Sequence, residues 1–514
     1  MDKYILILDI GTTNIKAFLF DKNGDIYAQS RRRPNYIMEE PGQVEQDPIE
    51  IWELSKEVIK EVINKTDIRA SNIEAMGITN QRASILLWNK KSGEIYSNII
   101  TWQDKRAADY AKKLTKKFFF KLLRGIGKIA RIFGSTKMLT ASILQFPTDY
   151  PSVRTGYFLE NHPEIKQMIK DKTTDIAWGQ IDSWLLWNLT EHKIHATDYS
   201  NASASACLDP FTLKWNKPVI KHIGIPTHIL PQIRESKDDY GVTSLFGGGE
   251  IPIRAVIADQ QASLFGQCCF NKGDMKVTNG TGSFIDLNTG DRPYASKRRL
   301  YPMIAWKIDG ETTYLLEGLS HNTGNIIDWI KNELNLFDDP SETENMALSV
   351  DSTNGVFFIP TFSSGISFPY WDLTAKGNIF GIDMSTKKEH IIRAVLNGIC
   401  FRIKDIVEGI IEDTEIEVNQ IKADGGVSQN KYLLQFLSDI LGRNVEHAVN
   451  PETTALGAAF IAGLATGFWK SQEELLSIRK VEKRYIPQIS EEERSKKYEC
   501  WKDIVKRSLN YKNF

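Results

Sequence analysis

Short apolar runs separated by polar turn residues open the chain. Residues 4–8 form an apolar run that ends at Asp9, and a second run covers residues 17–20 before the turn residues at 23–24. Runs of this length that are bounded by Gly, Asn and Asp are typical of β-strands joined by tight turns. The sequence therefore predicts a strand, a turn, a second strand and another turn at this end of the chain.

The same pattern returns after the midpoint, where residues 275–277 lead into Gly280-Thr281-Gly282 and then into residues 283–287. Between and after these two hairpins lie further predicted elements, namely helices around 49–63, 433–441 and 491–506 and a strand over 253–258. The last of these helices is amphipathic and charged, as expected of a solvated packing helix. Mixed strand and helix periods predict an α/β architecture.

Length and charge narrow the class of protein. A chain of 514 residues is too long for one ordinary core, and we expect two domains, residues 1–258 and 259–514. Its 64 basic and 65 acidic residues leave a formal net charge of −1, without the positive field of a dedicated nucleic-acid binder. A small molecule is therefore the expected partner, and no nucleic acid is expected.

Cysteine usage and hydropathy indicate a cytoplasmic protein. The five cysteines, two of them adjacent at Cys268 and Cys269, have neither metal-ligand spacing nor an even disulfide framework. Met1 leads through charged residues directly into the first strand, and no apolar run reaches the roughly 18 residues that span a bilayer. We therefore expect no stable membrane insertion.

One segment breaks the charge balance. Residues 112–137 contain nine Lys and Arg residues, no acidic residue, and four interleaved phenylalanines, Phe118, Phe119, Phe120 and Phe133. One interpretation is a basic amphipathic surface that meets an anion, a membrane or another subunit. The other is a solvated lid or insertion.

The first hairpin turn carries the groups that phosphoryl transfer requires. Glycine at position 11 lets the backbone approach a charged ligand, Thr12 and Thr13 offer hydroxyls, and Asp9 can hold a Mg²⁺ through water. A Gly-Thr-Thr turn alone is also compatible with an ordinary hairpin. Two such turns in two halves of the chain favour phosphates held between domains.

Other nucleotide signatures are missing or ambiguous. The sequence has no Gly-x-x-x-x-Gly-Lys-Ser/Thr pattern and no protein-kinase Gly-rich loop with its His-Arg-Asp partner. Residues 424–430, Asp-Gly-Gly-Val-Ser-Gln-Asn, follow a predicted strand and precede a helix. Their glycines let a base or ribose approach the backbone, and an ordinary strand-to-helix turn uses the same residues.

These hairpins and a set of further motifs resemble the FGGY carbohydrate kinases of the actin/hexokinase-like superfamily, and within it the glycerol kinases. The further motifs, which match in order and approximate spacing over nearly the whole chain, lie at residues 77–82, 101–104, 259–262, 265–267, 369–372, 393–396 and 453–459. The resemblance implies two actin-like (ribonuclease H-like) domains with an ATP cleft between them. It further implies a cytoplasmic ATP- and Mg²⁺-dependent kinase of a small polyol or sugar, which we expect to form a homodimer.

The resemblance also assigns roles to residues. It implies that Asp259 is the general base, although an aspartate at a strand end also caps helices. The implied nucleotide-binding residues are Thr12, Thr13, Asn14, Lys16, Thr281, Gly324, Asp328, Gly426 and Asn430. The implied acceptor pocket comprises Arg82, Ala83, Trp102, Asp149, Tyr150, Asp259, Gln260 and Phe284.

The acceptor pocket departs from the family pattern. Ala83 stands where glycerol kinases have a glutamate that accepts hydrogen bonds from the polyol, and Asp149 stands where they have an aromatic residue, with Tyr150 beside it. Lesser departures are Lys16 for arginine and Asp328 for glutamine. Loss of a charged acceptor costs about 1.5–3 kcal/mol of substrate interaction, which is enough to change the preferred polyol.

Three functions remain at this stage. The main hypothesis is a kinase of glycerol or of a larger polyol. A kinase of a ketose or cyclitol is the alternative within the family. A non-catalytic ATP-binding sensor or scaffold is the alternative of another class, which the retention of Asp9 and Asp259 disfavours.

Overall fold

A computed structural model describes residues 2–66, 68–130, 136–362, 365–372 and 374–511. Strands and helices alternate through these residues, which confirms the predicted α/β class. All five cysteines are free thiols. Among the residues described, no helix has both the length and the apolar character needed to cross a membrane.

The strands of the described residues form two large sheets and four smaller ones. In chain order they are β1 Tyr4–Ile10, β2 Ile15–Phe20, β3 Ile26–Arg32, β4 Glu45–Gln46, β5 Ile73–Asn80, β6 Ile85–Asn89, β7 Ile99–Ile100, β8 Ile176–Gln180, β9 Ala196–Asp198, β10 Leu208–Asp209, β11 Lys214–Trp215, β12 Gln232–Arg234, β13 Val242–Thr243, β14 Ile251–Ala258, β15 Asp274–Asn279, β16 Ser283–Gly290, β17 Tyr301–Ile308, β18 Glu311–Ser320, β19 Phe357–Ile359, β20 Asn378–Phe380, β21 Gln420–Asp424, β22 Val445–Ala448 and β23 Val481–Tyr485.

Helices pack around and between the sheets. They are α1 Pro48–Thr66, α2 Ala108–Lys116, α3 Phe118–Ala130, α4 Thr136–Ile143, α5 Pro151–Asn161, α6 Pro163–Asp171, α7 Ile181–Leu189, α8 Tyr199–Ala204, α9 Lys217–Ile223, α10 Asp259–Gly266, α11 Gly324–Trp329, α12 Glu342–Leu348, α13 Lys388–Thr414, α14 Lys431–Leu441, α15 Thr453–Thr466, α16 Gln472–Ile478 and α17 Glu491–Ser508. Single turns of tighter or wider helix occur at Ala70–Asn72, Thr227–Ile229, Gly426–Gln429 and Ile330–Leu334.

The two large sheets share one plan. In the first, of order β13-β14-β5-β1-β2-β3, the hairpin β1–β2 is antiparallel and β1 runs parallel to β5. In the second, of order β17-β18-β16-β15-β21-β22-β23, the hairpin β15–β16 is antiparallel and β15 runs parallel to β21. Each sheet therefore presents one hairpin turn beside the end of a parallel strand.

The first sheet is apolar on both faces because its central strands are completely covered. Along β1, Leu6 and Leu8 pack into one core cluster, which contains α1 and α7 residues. Ile5 and Ile7 point to the opposite face, as the two-residue period of a strand requires, and pack into a second cluster. That second cluster is completed by residues of α10 and α15, including Leu456 and Phe460.

Helices α10 and α15 cross in direct backbone contact. A Cβ atom at Gly266 would overlap the carbonyl oxygen of Thr453, and one at Gly457 would overlap the carbonyl oxygen of Ala262. Only glycine permits this approach, because any side chain at either position would force the two helices apart. This crossing joins the segment that follows β14 to the segment near the end of the second sheet.

Candidate active site

The turn of the first hairpin is held from two sides. The Gly11 amide donates to the Asn14 carbonyl at 2.9 Å and closes the turn between β1 and β2. The indole Nε1 of Trp102 donates to Thr12 Oγ1 at 3.3 Å, and the Tyr36 hydroxyl donates to the Thr12 carbonyl at 2.5 Å. The turn is therefore fixed, while Thr13 remains exposed and able to donate to a ligand.

The turn of the second hairpin is held from behind by the start of α11. The Gly280 amide donates to the Gly282 carbonyl at 2.9 Å, and the Gly324 amide donates to the Gly280 carbonyl at 3.0 Å. The Thr323 amide donates to the Thr281 carbonyl at 3.1 Å. With its carbonyls engaged in this way, the turn can present amide and hydroxyl donors to an anion.

Asp259 is the first residue of α10 and follows β14 directly. Burial raises the pKa of its carboxyl group, and the guanidinium of Arg82, whose Nε lies 3.9 Å from Oδ1, opposes that rise. The Gln260 amide donates to Asp259 Oδ1 at 2.8 Å. A carboxylate that is partly buried, oriented and harder to ionise than usual is suited to accept a proton.

Arg82 is fixed by partners from the second half of the chain. Its guanidinium pairs with the Glu317 carboxylate, donates to Gln261 Oε1 at 3.3 Å, and lies 6.0 Å from the centre of the Phe284 ring. Burial raises the pKa of Glu317, and the Arg82 charge opposes the rise. Glu317 belongs to β18, so this pair connects the two large sheets.

A second buried pair orients Gln260. Lys276 and Asp286, both fully buried on neighbouring strands, form an ion pair at 3.0 Å. The Lys276 ammonium also donates to Gln260 Oε1 at 2.6 Å and to Thr278 Oγ1 at 2.9 Å. The Gln260 side chain also hydrogen-bonds the Asp259 carboxylate, which opposes the rise in the pKa of Asp259.

Ala83 has an unusual backbone conformation. Its φ angle is +60°, its amide donates to Gln180 Oε1 at 2.7 Å, and its carbonyl accepts from the guanidinium of Arg154. The left-handed region is rare for a residue with a Cβ, so these bonds stabilise a strained position.

Arg154 connects the backbone segments at Ala83, Trp102 and residues 148–149, which together we call the acceptor wall. Besides Ala83, its guanidinium donates to the carbonyls of Trp102 at 3.2 Å, Thr148 at 3.1 Å and Asp149 at 3.0 Å. Burial lowers the pKa of Arg154 to about 10. One buried side chain therefore sets the relative positions of these backbone segments.

Asp149 and Tyr150 meet the second half of the chain at Tyr301. The Tyr301 hydroxyl donates to Asp149 Oδ2 at 3.2 Å, and the rings of Tyr150 and Tyr301 meet edge to face with centres 6.5 Å apart. Burial raises the pKa of the Tyr150 phenol, so this group stays a neutral donor. The altered segment identified in the sequence thus forms a polar and aromatic wall.

A cavity of about 1280 Å³ unites most of the predicted site residues. The predicted residues that line it are Thr12, Thr13, Arg82, Ala83, Trp102, Asp149, Tyr150, Asp259, Gln260, Thr281 and Phe284. Both hairpin turns and the acceptor wall therefore face one space.

The remaining predicted residues are not among the described residues that line this cavity. Lys16 forms an ion pair with Glu452 at 2.7 Å, in the segment before α15. Gly324 begins α11 against the second hairpin turn, and Asp328 on the same helix is exposed. Asn430 caps α14 by accepting from the Leu433 amide at 2.9 Å, which is the ordinary structural role that its position also predicts.

Asp9 lies at the end of β1 under the first hairpin turn. Burial raises the pKa of Asp9 to about 7, while Lys16 opposes the rise and the nearby Glu452 and Asp259 add to it. The described part of the chain has no group of three or more His, Cys, Asp or Glu residues that could hold a metal ion. A bound cation would need oxygen ligands beyond the protein, such as phosphate and water.

The basic segment contributes to the same cavity. It forms helices α2, α3 and α4, while Arg131 and Phe133 lie outside the described residues. Phe119 and Leu123 of α3 and Leu144 beyond α4 line the cavity, whereas Phe118 and Leu122 are exposed. The segment therefore has an inner face toward the site and an outer face toward solvent.

Sequence reasoning missed several residues of the site. Glu317, Lys276, Asp286 and Gln261 fix Arg82 and Gln260, but they were not predicted as site residues. A usable signal existed, because three of them are charged residues within otherwise apolar strand patterns. Charges at such positions are buried, and buried charges require partners.

Comparisons with known proteins find similar proteins over nearly the whole chain. Models of the FGGY family of carbohydrate kinases match residues 4–266 (N-terminal domain) and 275–466 (C-terminal domain). A glycerol kinase of Caldanaerobacter subterraneus is 41% identical over 513 residues, covering 99% of both chains. Glycerol kinase 5 of Danio rerio is 37% identical, covering 100% of this chain and 98% of its own.

A solved structure shows that the similarity extends to the fold. The crystal structure of Plasmodium falciparum glycerol kinase with ADP superimposes with a TM-score of 0.88 at 30% identity, covering 99% of both chains. The predicted two-domain α/β fold of the family is confirmed.

Proposed function

Because the chain belongs to the FGGY family of carbohydrate kinases, we propose that it transfers the γ-phosphoryl group of ATP to a hydroxyl of glycerol or a glycerol-like polyol. One observation carries the proposal: Asp259 and both hairpin turns line the same cavity as Arg82 and Trp102. A base, phosphate-binding donors and an acceptor wall are thereby brought to a common space. The boundary that we infer between the two domains, at Asp259, lies at the end of β14.

The reaction follows from the roles of these groups. The acceptor hydroxyl loses its proton to Asp259 while its oxygen forms a bond to the γ-phosphorus. The bond between the γ-phosphorus and the β–γ bridging oxygen breaks, and ADP leaves. Arg82 and Gln260 orient the acceptor, and the donors of Thr12, Thr13 and Thr281 bind the phosphate oxygens.

Asp9 fits the role of a Mg²⁺ ligand. Mg²⁺ is commonly bound by one or two carboxylates together with substrate phosphates and water. Asp9 supplies a buried carboxylate whose pKa is raised to about 7. A nearby cation would lower this pKa and favour the charged form of the carboxylate. A bound Mg²⁺ would neutralise phosphate charge during transfer.

The nucleotide end of the site is assigned by position. We propose that Asn14 and Lys16 contact phosphates and that Gly324, Asp328, Gly426 and Asn430 surround the nucleoside. In support, Gly324 donates to the Gly280 carbonyl, and Gly425, next to Gly426, lies against the backbone of Asn279. Both contacts tie these segments to the second hairpin. Binding of phosphate by Lys16 would compete with its ion pair to Glu452.

A substrate panel tests the proposal. Purified protein with ATP and Mg²⁺ is assayed for ADP release with glycerol, longer polyols, cyclitols and ketoses. We expect acceptor-dependent ADP release with glycerol or a glycerol-like polyol and phosphate transfer confirmed by mass spectrometry. Binding of ATP without transfer to any acceptor would overturn the proposal and support the sensor alternative, and exclusive use of a ketose or cyclitol would move the acceptor to another class.

A further inference from the structure

The cavity extends well beyond the groups that phosphoryl transfer uses. A second region of its wall is formed by Phe119, Leu123, Leu144, Phe211, Trp215 and Val219, and we call this region the apolar lobe. Its residues come from α3, from the segment after α4, from the hairpin of β10 and β11, and from α9. No part of the proposed reaction requires them.

The cavity is larger than the proposed acceptor and the ATP phosphates require. The cavity of about 1280 Å³ exceeds the roughly 300–1,000 Å³ of pockets that hold drug-sized ligands. The predicted nucleoside contacts Gly324, Gly426 and Asn430 are outside its lining, so the adenosine does not account for the excess. A three-carbon polyol and the terminal phosphates therefore leave the apolar lobe unfilled.

The apolar lobe is continuous with the acceptor wall. Tyr301 lines the cavity, donates to Asp149 and packs against Tyr150. Met303, two residues along β17, also lines it, and its sulfur accepts from the Arg82 guanidinium at 3.3 Å. Ala83 also lines the cavity, and its short side chain places no carboxylate there.

The charged side chains beside the apolar lobe are paired or exposed to solvent. The Lys137 ammonium lies 3.5 Å from Asp209 and 5.9 Å from the centre of the Phe211 ring, so an acidic partner already neutralises it. Lys214 and Lys217 are exposed. A hydrocarbon would bury apolar surface here without removing these charges from their partners or from water.

We propose that the preferred acceptor is an amphiphile: a glycerol or similar polyol that bears one hydrocarbon chain through an ether or ester. This inference rests on the proposed function and names the substrate class of the same site. The free hydroxyl binds at Asp259 and the chain lies in the apolar lobe. Transfer forms the bond from the hydroxyl oxygen to the γ-phosphorus, releases ADP and leaves the proton on Asp259, which gives an alkyl- or acylglycerol phosphate.

A chain-length series tests the inference directly. Glycerol and its 1-O-ethyl, butyl, hexyl and octyl ethers are assayed with ATP and Mg²⁺ below their micelle concentrations. Burial of each methylene should raise kcat/KM roughly threefold until the lobe is filled. We expect a rise of at least tenfold between glycerol and the octyl ether.

Adjacent residues of α3 provide a matched pair of variants. Leu123 lines the apolar lobe, whereas Leu122 is exposed. Leu123→Ser should lower the ratio of kcat/KM for the octyl ether to that for glycerol several-fold, and Leu122→Ser should leave that ratio unchanged. Leu123→Met, which conserves volume, should retain most of the preference.

The outcomes separate this inference from the function on which it rests. Good phosphorylation of glycerol with kcat/KM flat or falling along the series would overturn the amphiphile and leave the polyol kinase intact. Failure of glycerol and every ether would overturn the proposed function itself. An equal loss of preference in Leu122→Ser and Leu123→Ser would show that the chain does not lie in the lobe.

Discussion

The polar end of the cavity, which contains Asp259, Gln260 and Arg82, and the apolar lobe are built in different ways. At the polar end, Arg82 and Lys276 are pinned by buried carboxylates on the strands of the second sheet. The apolar lobe is formed by helices and the β10–β11 hairpin of the first half, through side chains such as Leu123 and Val219. The side chains that line the lobe are apolar, in contrast to the ion pairs of the polar end.

This difference assigns catalysis and selectivity to separate parts of the fold. A buried ion pair tolerates little change, because removing one partner leaves an uncompensated charge. An apolar wall tolerates substitutions that conserve volume. Changes to the base and the buried pairs at the polar end should therefore lower turnover or stability, and changes in the lobe should alter which acceptor is preferred.

The largest effect is expected at the base. Asp259→Asn keeps the shape of the side chain but removes its ability to accept a proton, so turnover should fall by on the order of 10²-fold or more. ATP binding, measured by calorimetry, should be retained. Asp503→Asn on the exposed face of α17 is the matched control and should be silent. Turnover near the normal value in Asp259→Asn would remove this residue from the mechanism.

Breaking the pair behind Arg82 should have the next largest effect. Glu317→Gln leaves a buried guanidinium without its main partner and should lower the free energy of unfolding by roughly 3 kcal/mol. Urea denaturation measures this change, and the KM for the acceptor should rise with it. The same substitution at Glu412, the exposed partner of Arg298, should change little. Equal effects at the two sites would mean that the buried pair is not the support we infer.

Restoring the family glutamate should shift selectivity by about tenfold, in line with one charged hydrogen bond. Ala83→Glu should raise kcat/KM for glycerol relative to larger or alkylated acceptors, because it adds an acceptor beside Arg82 and narrows the way to the lobe. Ala83→Gln controls for side-chain size without the charge. A folded Ala83→Glu enzyme with unaltered preference would locate selectivity elsewhere, most directly at Asp149 and Tyr150.

The smallest effect concerns pH. The pKa of Asp259 is raised by burial, and the base acts only when it is unprotonated, so kcat should fall as pH drops through that raised pKa. The double variant Arg82→Met/Glu317→Gln removes both charges of the pair. Without the guanidinium, the charged form of the Asp259 carboxylate is less favoured. The acid limb of the pH profile of kcat should therefore move up by about one pH unit or more.

The contribution of Asp9 to the pH profile can be distinguished from that of Asp259. Asp9, with a pKa raised to about 7, is opposed by Lys16 rather than by Arg82. Lys16→Met should therefore move only the contribution of Asp9. If the acid limb of the pH profile of kcat is unchanged in Arg82→Met/Glu317→Gln but shifts in Lys16→Met, Asp9 is the group that controls the profile.

Local pattern predicted much of the fold. The strands around both hairpin turns, the helix at α1 and the helix at α14 were all predicted from hydrophobic period and turn residues, and the structure has them. These features depend on residues near one another in the chain. Asn430 illustrates the limit, because its position predicts both a helix cap and a nucleotide contact, and only the cap is visible in the fold.

The supports of the site could not be predicted in this way. Arg82 and Glu317 are 235 residues apart, and no local period relates them. The basic segment is a second example, since its charge pattern predicted an outer surface but not that Phe119 and Leu123 line the cavity. Both depend on how distant segments pack.

The position of α15 has a consequence for how the chain is made. Ile5 and Ile7 of β1 are covered on one face by Leu456 and Phe460, and the segment just before α15 pairs with Lys16 across a chain separation of 436 residues. A ribosome therefore completes the first sheet long before the helix that covers it has been synthesised. Until then the nascent chain exposes a flat apolar surface of the kind that chaperones bind and that promotes aggregation. Fragments that end between β14 and α15 should accordingly be recovered as insoluble protein, even though they contain every strand of the first sheet.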